Sequence, residues 1–328
     1  MKKMRAALAI LAVHSILGIG AASYAQQNVP GDTPTEVRKQ IELLSSEDPV
    51  KRASAACALG RMGERAAPAI PALVALLSDG APIPTKNGCG NQEPFEDEAW
   101  EPEYEQVKEP SPGEAATHAL MAIGEQALEP LKDVLLRGEH WRARKNAAWA
   151  LAHRGEAVEQ LVAAMKDAAW QVRAQAAYAL FQRGGDGRQV IEALSAAVND
   201  EAWQVREQAV FALGHKGSEA DAVKSLIAAL KHEDARVRAG AAGSLWHCAD
   251  SGAFDPLMEA LKDEDPKVRK NAAGTLGNRA GDREVQLLIA ARNDPDSRVR
   301  EGVRQALEII KHRMQGKVTN LRRIPIPD

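Results

Sequence analysis

Residues 265–277 read Asp265-Pro266-Lys267-Val268-Arg269-Lys270-Asn271-Ala272-Ala273-Gly274-Thr275-Leu276-Gly277, and this pattern recurs along most of the chain. Val268, Ala272 and Leu276 are spaced by four residues, so they share one face of a helix. The small alanines would let neighbouring helices approach closely. The pattern therefore predicts a short amphipathic helix that is repeated and packed against its own copies.

Local signals mark where each copy begins and ends. Asp265 and Asp296 are typical N-caps, and Pro266 suits the first helical position. Glycines late in the pattern favour helix ends, as at Gly60, Gly214 and Gly277. Each copy is thus predicted to be one separate helix.

The arginine of the pattern shows how often the unit is repeated. It recurs at Arg52, Arg144, Arg173, Arg206, Arg238, Arg269 and Arg300, and Ala116 takes its place in one degenerate copy. From Arg144 onward the spacing is 29 to 33 residues, which two short antiparallel helices and their turns can fill. A fixed period in this range is typical of a solenoid.

The composition agrees with helices and excludes some functions. Hydrophobic residues make up 45% of the chain but aromatic residues only 4%, which disfavours a sandwich, a barrel or a doubly wound sheet. The formal net charge of −3 provides no positive field for nucleic acid or an anionic membrane. We expect an all-α protein with no nucleic-acid partner.

Residues 1–25 have the features of a secretory signal peptide. A positively charged start precedes the apolar run 6–21, and Ser23 and Ala25 provide small residues at the cleavage site. The run is shorter than the ~20 apolar residues of a membrane-spanning helix. We expect cleavage after Ala25, no membrane span after cleavage, and a periplasmic or secreted mature chain.

The repeat resembles the short bacterial HEAT-like repeat, also called the phycobilisome-lyase type, over residues 47–312. The resemblance implies an α-solenoid, a right-handed superhelix of about eight HEAT-like helical hairpins. It also implies a structural ladder of charge-assisted bonds between successive repeats, made by each arginine and an aspartate six residues before it. The candidate pairs are Asp167 with Arg173, Asp200 with Arg206, Asp263 with Arg269, and Asp294 with Arg300.

The remaining segments flank or interrupt the repeats. Residues 26–46 predict an N-terminal capping helix, opened by a capping box over Thr33–Glu36, with Val37, Ile41 and Leu44 on its apolar face. Residues 80–113 contain six prolines and eight acidic residues against two lysines, which indicates a mobile acidic insert, although its aromatic residues could anchor it or dock a partner. Residues 313–328 form a C-terminal tail.

The arginine-bearing helices have a second face, at the positions two, five and nine residues after each arginine. It lies about 150° from the core stripe, so it should line the concave surface of a HEAT-like stack. Aromatic rings, amides and imidazoles together suit a binding groove, although the rings could instead pack sideways between helices. The candidate binding residues are Asn146, Trp149, His153, Gln175, Tyr178, Gln182, Gln208, Phe211, His215, His247 and Asn271. A second column, Trp141, Trp170 and Trp203, is predicted to be structural.

Metal and cysteine chemistry have weak support. The column of His153, His215 and His247 spans helices ~8–10 Å apart, too far for a shared ion without additional ligands. Deoxyhypusine hydroxylase resembles this architecture and holds iron with paired His-Glu motifs, of which only one is matched here, at 232–233. No metal, cofactor or catalytic residue is therefore expected. Among three cysteines, Cys57 with Cys89 is a candidate disulfide that would staple the insert over the groove, and two buried thiols with one exposed thiol are the alternative.

These observations lead to one expected function and two competing ones. We expect a non-catalytic scaffold that binds a protein or peptide partner along the concave face. A HEAT-type oxidoreductase or lyase component, similar to phycobilin lyases or deoxyhypusine hydroxylase, would need a metal or cofactor site that the sequence does not show. A polysaccharide-binding solenoid would use the aromatic column.

Overall fold

The computed structural model describes residues 29–84, 111–152, 157–183, 187–216, 219–247, 251–279 and 282–315. These ranges form α-helices and short 3₁₀ turns and contain no β-strand, which confirms the predicted all-α fold. The chain divides into two compact units, residues 1–183 and residues 184–328. The signal peptide, residues 85–110 of the insert and residues 316–328 of the tail were interpreted from sequence and lie outside the described residues.

The first unit is a double layer of helices. Its helices are α1 (Thr35–Leu43), α2 (Pro49–Met62), α3 (Ile70–Leu76), α4 (Pro112–Ile123), α5 (Leu128–Arg137), α6 (Trp141–Ala152), α7 (Val158–Ala164) and α8 (Trp170–Arg183). The helices α2, α4, α6 and α8 carry the repeat arginine or its replacement Ala116, and they pack side by side in chain order. The partner helices α3, α5 and α7 form the second layer. This is the stacking predicted for helical hairpins.

The second unit repeats the arrangement. Its helices are α9 (Arg188–Ala197), α10 (Trp203–Gly214), α11 (Ala220–Ala229), α12 (Ala235–Ser244), α13 (Phe254–Ala260), α14 (Pro266–Arg279), α15 (Asp282–Ala290) and α16 (Ser297–Gln315). The arginine-bearing helices α10, α12, α14 and α16 are neighbours, and the partner helices α9, α11, α13 and α15 pack behind them. The helix α16 continues to Gln315, so residues 313–315, which were predicted to belong to the tail, are helical.

The core is the stripe predicted from the repeated pattern. The valine before each arginine is at most 1% exposed from α8 to α16, at Val172, Val205, Val237, Val268 and Val299. The leucine seven residues after the arginine is also buried, at Leu59, Leu151, Leu180, Leu213, Leu245, Leu276 and Leu307. Burial of each such leucine contributes about 1.5–3 kcal/mol, so the stack is stabilised by the same contact in every repeat.

The late glycines of the pattern allow close helix contact, and the prediction that they end helices was wrong for Gly60 and Gly277. Both α2 and α14 continue past these residues. A Cβ added to Gly277 would lie 2.5 Å from the Cβ of Ala306 in α16, and one on Gly214 would lie 2.6 Å from the Cβ of Ser244 in α12. The next arginine-bearing helix can therefore pack this closely only because glycine has no side chain.

The N-terminal helix α1 covers the first repeat as expected, with Val37, Ile41 and Leu44 buried. The capping box predicted over Thr33–Glu36 was wrong. The helix has Pro34 as its N-cap and no side-chain cap, so it begins one residue too late for that box. The carboxylate of Glu36 instead accepts a hydrogen bond from Gln40 at 2.7 Å.

The residues that flank the acidic insert, Asp79 and Gly113, are in contact with each other. The N–H of Gly113 donates to the carbonyl oxygen of Asp79 at 2.9 Å. Ser111 and Glu114 form a capping box on α4, which begins at Pro112. Residues 111–113 therefore belong to the repeat, and the predicted insert boundary of 113 is too late.

Replacing residues 85–110 with a short Gly/Ser linker, in a Cys57→Ala background, should leave helicity and the thermal unfolding midpoint nearly unchanged. The two ends are already held together at Asp79 and Gly113, and loop closure costs only about 0.6 kcal/mol per doubling of loop length. Circular dichroism against the Cys57→Ala parent measures both quantities. As a positive control, Gly113→Ala should destabilise the protein, because its Cβ would lie 2.7 Å from the Asp79 carbonyl oxygen. Loss of helicity in the linker variant would show that the insert packs into the unit.

Candidate functional site

The repeat arginines join successive repeats, which assigns them a structural role. Nη1 of Arg269 donates to the carbonyl oxygens of Asp263 and Glu264, at 2.8 and 3.0 Å, in the turn before its own helix. Its Nε and Nη2 donate to the carboxylate of Asp294 in the next repeat, at 2.7 and 2.9 Å. The predicted ladder exists, but in the predicted pairs the arginine donates to the carbonyl oxygen of the aspartate, and its carboxylate partner lies further along the chain. Such carboxylate bonds also join Arg52 to Asp79, Arg144 to Asp167, and Arg238 to Asp263. Arg206 differs, because its Nη2 donates to Asp234, four residues before Arg238.

One position of the ladder lacks both charges. Ala116 replaces the arginine of α4, and Gly138 stands where the next repeat would have its aspartate. The carbonyl oxygen of Gly138 still accepts from Nη1 of Arg144 at 2.8 Å. Because the arginine and the aspartate are absent together, no unpaired charge is buried at this position. The contact between the Gly138 carbonyl oxygen and Arg144 is kept.

The ladder carboxylates are held in their ionised form. The hydrogen bond from Arg269 is the largest cause that lowers the pKa of Asp294, burial opposes it, and the N–H of Asp296 adds to the lowering. Burial raises the pKa of Asp263, but the hydrogen bonds from Arg238 and from the N–H of Asp265 outweigh it, so that this pKa is also lowered. These groups therefore act as fixed charges that connect repeats.

We call the positions two, five and nine residues after each arginine the candidate face. In the first unit, Trp149 on α6 is half-buried and meets the ring of His118 on α4 edge-on, with ring centroids 4.7 Å apart. On α8, Nε2 of Gln182 donates to the hydroxyl oxygen of Tyr178 at 2.8 Å, and both side chains are half-buried. Gln175 is half-buried as well. The aromatic rings thus contact neighbouring side chains and still keep part of their surface accessible.

The second unit shows a similar face. The rings of Phe211 and His215 on α10 lie 4.6 Å apart, with Phe211 half-buried and His215 exposed. Gln208 is only 3% exposed, and its Oε1 has no hydrogen-bond partner within the described ranges. His247 ends a 3₁₀ turn after α12. The side chain of His247, and the whole of His153, lie outside the described residues.

Two of the predicted amides also bind the main chain of other helices. Nδ2 of Asn146 donates to the carbonyl oxygen of Leu77 at 2.8 Å, and Nδ2 of Asn271 donates to that of Ala239 at 2.9 Å. Each asparagine therefore uses one N–H to hold its helix against another part of the same unit. The sequence pattern alone does not distinguish this use from partner recognition.

Two tryptophans of the second column have ring contacts within the described residues. The guanidinium carbon of Arg236 on α12 lies 4.8 Å from the ring centroid of Trp203 on α10. Trp141 is covered by its own neighbours, with Arg142 at 4.9 Å and a stacked His140 at 6.0 Å. At Trp203, a cation–π contact joins two repeats.

A depression that was not predicted lies on the candidate face of α12, α14 and α16. Its volume is about 340 Å³. We call it the glycine cleft and define it by Gly243, Trp246, Lys270, Gly274, Gly302 and Ile309. Gly243 and Gly274 occupy the position that Trp149 and Phe211 take in earlier repeats, so two successive glycines in that column were the sequence signal. A second depression of about 300 Å³ adjoins it and shares Lys270.

The structure also places the residues considered for metal and cysteine chemistry. Nδ1 of His232 accepts the N–H of Asp234 at 2.9 Å, so the partial His-Glu motif closes the turn before α12. Within the described ranges, no group of three or more His, Cys, Asp or Glu is placed to hold a metal ion. Cys57 is disulfide-bonded, and because Cys89 and Cys248 both lie outside the described residues, its pairing with Cys89 stays a prediction.

None of the described helices is both long and apolar enough to cross a bilayer.

Solved structures with a similar fold were found at low sequence identity. Escherichia coli YibA is 19% identical, with 89% of this chain and 96% of that chain covered and a TM-score of 0.52. Yeast importin-beta is 14% identical, with 83% and 41% covered and a TM-score of 0.55. The same yeast protein, Kap95p, in a structure with RanGDP, is 13% identical, with 86% and 47% covered and a TM-score of 0.50. At these identities the likeness concerns the fold alone.

Sequence comparison gives the family. No curated protein sequence matched the chain. The profile of HEAT repeats matches residues 128–214, 191–253 and 223–308, and the profile of the PBS lyase HEAT-like repeat matches residues 51–79. The first profile alone spans more than half of the chain, and its repeats coincide with the stacked hairpins and their arginine ladder. The chain therefore belongs to the HEAT-repeat family.

Proposed function

We propose that the protein is a non-catalytic scaffold that binds a protein or peptide partner on the candidate face of its arginine-bearing helices. One observation carries this proposal. The face turned away from the core presents the half-buried rings of Trp149, Tyr178 and Phe211, whereas a helix face exposed only to water usually presents charged side chains. Aromatic residues with few charges are typical of the centre of a protein interface.

The comparison with importin-beta supports the proposal in one limited respect. That protein binds Ran, as the description of its structure states, so a stack of this fold can carry a protein partner. The identity of the partner of the present chain does not follow from this likeness. It has to be recovered experimentally, by crosslinking and capture from the native cell envelope.

Single substitutions of Trp149, Tyr178 and Phe211 by alanine should each weaken binding of the captured partner by about 1 kcal/mol or more, which is roughly fivefold in Kd. Each removes a large interface side chain without opening a cavity in the core. Titration calorimetry with the purified partner measures the change. Trp141→Ala is the matched control, because it removes a tryptophan from the edge column and should leave Kd unchanged.

Two results would count against this function. Full affinity in all three variants would place the partner elsewhere on the protein. Binding of glycans, with no protein recovered by crosslinking, would favour the polysaccharide-binding alternative.

We also propose that the chain is exported and that Cys57 pairs with Cys89. Disulfide bonds persist mainly in oxidising compartments, and the disulfide at Cys57 agrees with the signal-peptide pattern of residues 1–25. Mass spectrometry of the unreduced native protein should find Gln26 at the N-terminus and a crosslinked pair of peptides that contain Cys57 and Cys89. An N-terminal Met1, or a Cys57–Cys248 peptide, would contradict the respective part.

A further inference from the structure

Gly274 is an interior helix glycine that packing does not require. It lies within α14 (Pro266–Arg279), and a Cβ added to it would meet nothing within 4 Å. Gly277 in the same helix is the contrast, because its Cβ would lie 2.5 Å from Ala306. Since glycine inside a helix is less stable than alanine, stability does not account for Gly274. Its effect is to leave the glycine cleft open.

The shape of the cleft suits one planar side chain. Gly274 leaves open main chain in it, whereas the side chains of Asn271 and Lys270 lie against Gly243 and Gly302, 3.5 and 3.0 Å from where a Cβ would stand. Trp246 is half-buried and Ile309 is 38% exposed, and these two residues supply apolar walls. A volume of about 340 Å³ is at the lower end of the roughly 300–1,000 Å³ of ligand pockets. An open glycine position beside an aromatic wall favours an aromatic ring as the occupant.

The charge at the cleft favours a carboxylate beside that ring. Lys270 is exposed, lies where the cleft meets the second depression, and forms no hydrogen bond or ion pair through its side chain within the described residues. The other charged residues of the second depression have ion-pair partners. Arg298 pairs with Asp296 at 2.8 Å, and Glu301 pairs with Arg304 at 2.6 Å, an arginine that also pairs with Glu308. The two depressions are lined by two cations, Lys270 and Arg298, against one carboxylate, Glu301, so their lining carries a net positive charge.

We propose that the glycine cleft binds a peptide segment in which an aromatic side chain is flanked by carboxylates. The ring lies over Gly274 against Trp246 and Ile309, and a carboxylate pairs with Lys270. This inference rests on the proposed function, because it names the chemistry of the ligand on the second unit's part of the candidate face.

The probe for the test is a fluorescein-labelled, C-terminally amidated peptide of sequence Ala-Glu-Trp-Glu-Ala, titrated by anisotropy against the full chain. Gly274→Leu should weaken its binding at least tenfold, because the new side chain fills the cleft. Lys270→Glu should weaken probe binding at least fivefold. Lys267→Glu is the control: this residue lies one turn earlier on the same helix and outside the cleft, so its substitution should weaken probe binding less than Lys270→Glu does. Gly274→Ala should raise the thermal unfolding midpoint and weaken binding of the probe. A glycine required for packing would not give this combination.

Peptide controls separate the two features of the ligand. Ala-Gln-Trp-Gln-Ala lacks the charge and Ala-Glu-Ala-Glu-Ala lacks the ring, and both should bind at least fivefold more weakly. Equal binding of either control overturns the inference. So does full affinity of a folded Gly274→Leu variant, or no binding of the probe to the wild-type chain up to about 1 mM.

The test of the cleft and the test of the proposed function can fail independently of each other. Trp149→Ala lies in the other unit and should not change probe affinity, but it should weaken the captured partner. If probe binding fails while Trp149→Ala still weakens the partner, the function stands and the cleft chemistry is wrong. If the probe binds as expected while partner affinity is unchanged in the three aromatic variants, the cleft chemistry stands and the proposed use of the aromatic column is wrong.

Discussion

Leu213→Ala should lower the free energy of unfolding by about 2–5 kcal/mol, and Phe211→Ala, two residues earlier in α10, by less than about 1.5 kcal/mol. Leu213 is fully buried, so its truncation loses apolar burial and leaves a cavity in the stack. Phe211 is half-buried, so its truncation loses less burial, and it contacts the ring of His215. Urea unfolding followed by circular dichroism measures both variants.

The first unit offers an independent version of the same comparison. Leu180 and Tyr178 on α8 repeat the relation of Leu213 and Phe211, with the leucine fully buried and the tyrosine half-buried. Leu180→Ala should therefore destabilise the protein far more than Tyr178→Ala. Were the aromatic variants to unfold as readily as the leucine variants, the rings would be packing elements and the proposed function would lose its surface.

The layered fold could be predicted because every copy of the pattern is subject to the same physical requirement. Val268 and Leu276 recur at fixed spacing, and their counterparts are buried in each arginine-bearing helix from α8 to α16. The role of the late glycines could not be predicted, since a helix end and a close helix contact both favour glycine. Only the distance from Gly277 to Ala306 distinguishes the two.

The candidate site was predictable as a face, but the use of its individual side chains was not. Position after the arginine identifies which residues point away from the core. Whether Asn271 hydrogen-bonds the carbonyl oxygen of Ala239, or Gln208 becomes buried, depends on how far the neighbouring helix is shifted along its axis. The sequence does not state that shift. The cleft at Gly243 and Gly274 was missed for a related reason, because an absent side chain becomes a depression only between particular neighbours.

Asp263→Ala should destabilise the second unit by about 3 kcal/mol, the lower end of the range for breaking a buried ion pair. Arg238 is only 8% exposed, and without Asp263 it would lose its bidentate carboxylate and keep the carbonyl oxygens of His232 and Glu233. The carboxylate of Glu264 would remain at 3.2 Å, but it is mostly exposed to water and would compensate the buried charge only in part. Urea unfolding at neutral pH measures the loss, and Asp221→Ala, which removes an exposed pair with Lys224, is the control that should show no measurable change.

The same ion pair predicts how stability changes with pH. Burial raises the pKa of Asp263, but the hydrogen bonds from Arg238 and from the N–H of Asp265, together with the charge of Arg238, outweigh burial and hold it below the unfolded value of about 3.9. Between these two values the unfolded state binds more protons than the folded state. The contribution of Asp263 to stability is therefore fully present above about pH 4 and is lost as the pH falls through the folded pKa.

Asp263→Asn removes this titration while keeping the shape of the side chain. Its unfolding free energy should lie below that of the wild type at neutral pH and should fall less steeply below about pH 4, so that the two curves converge in acid. Urea unfolding at a series of pH values gives both curves. Parallel curves would mean that the carboxylate contributes nothing through its charge. The arginine would then stabilise the stack through its main-chain carbonyl contacts alone, the part of the ladder that is retained at Gly138 opposite Arg144.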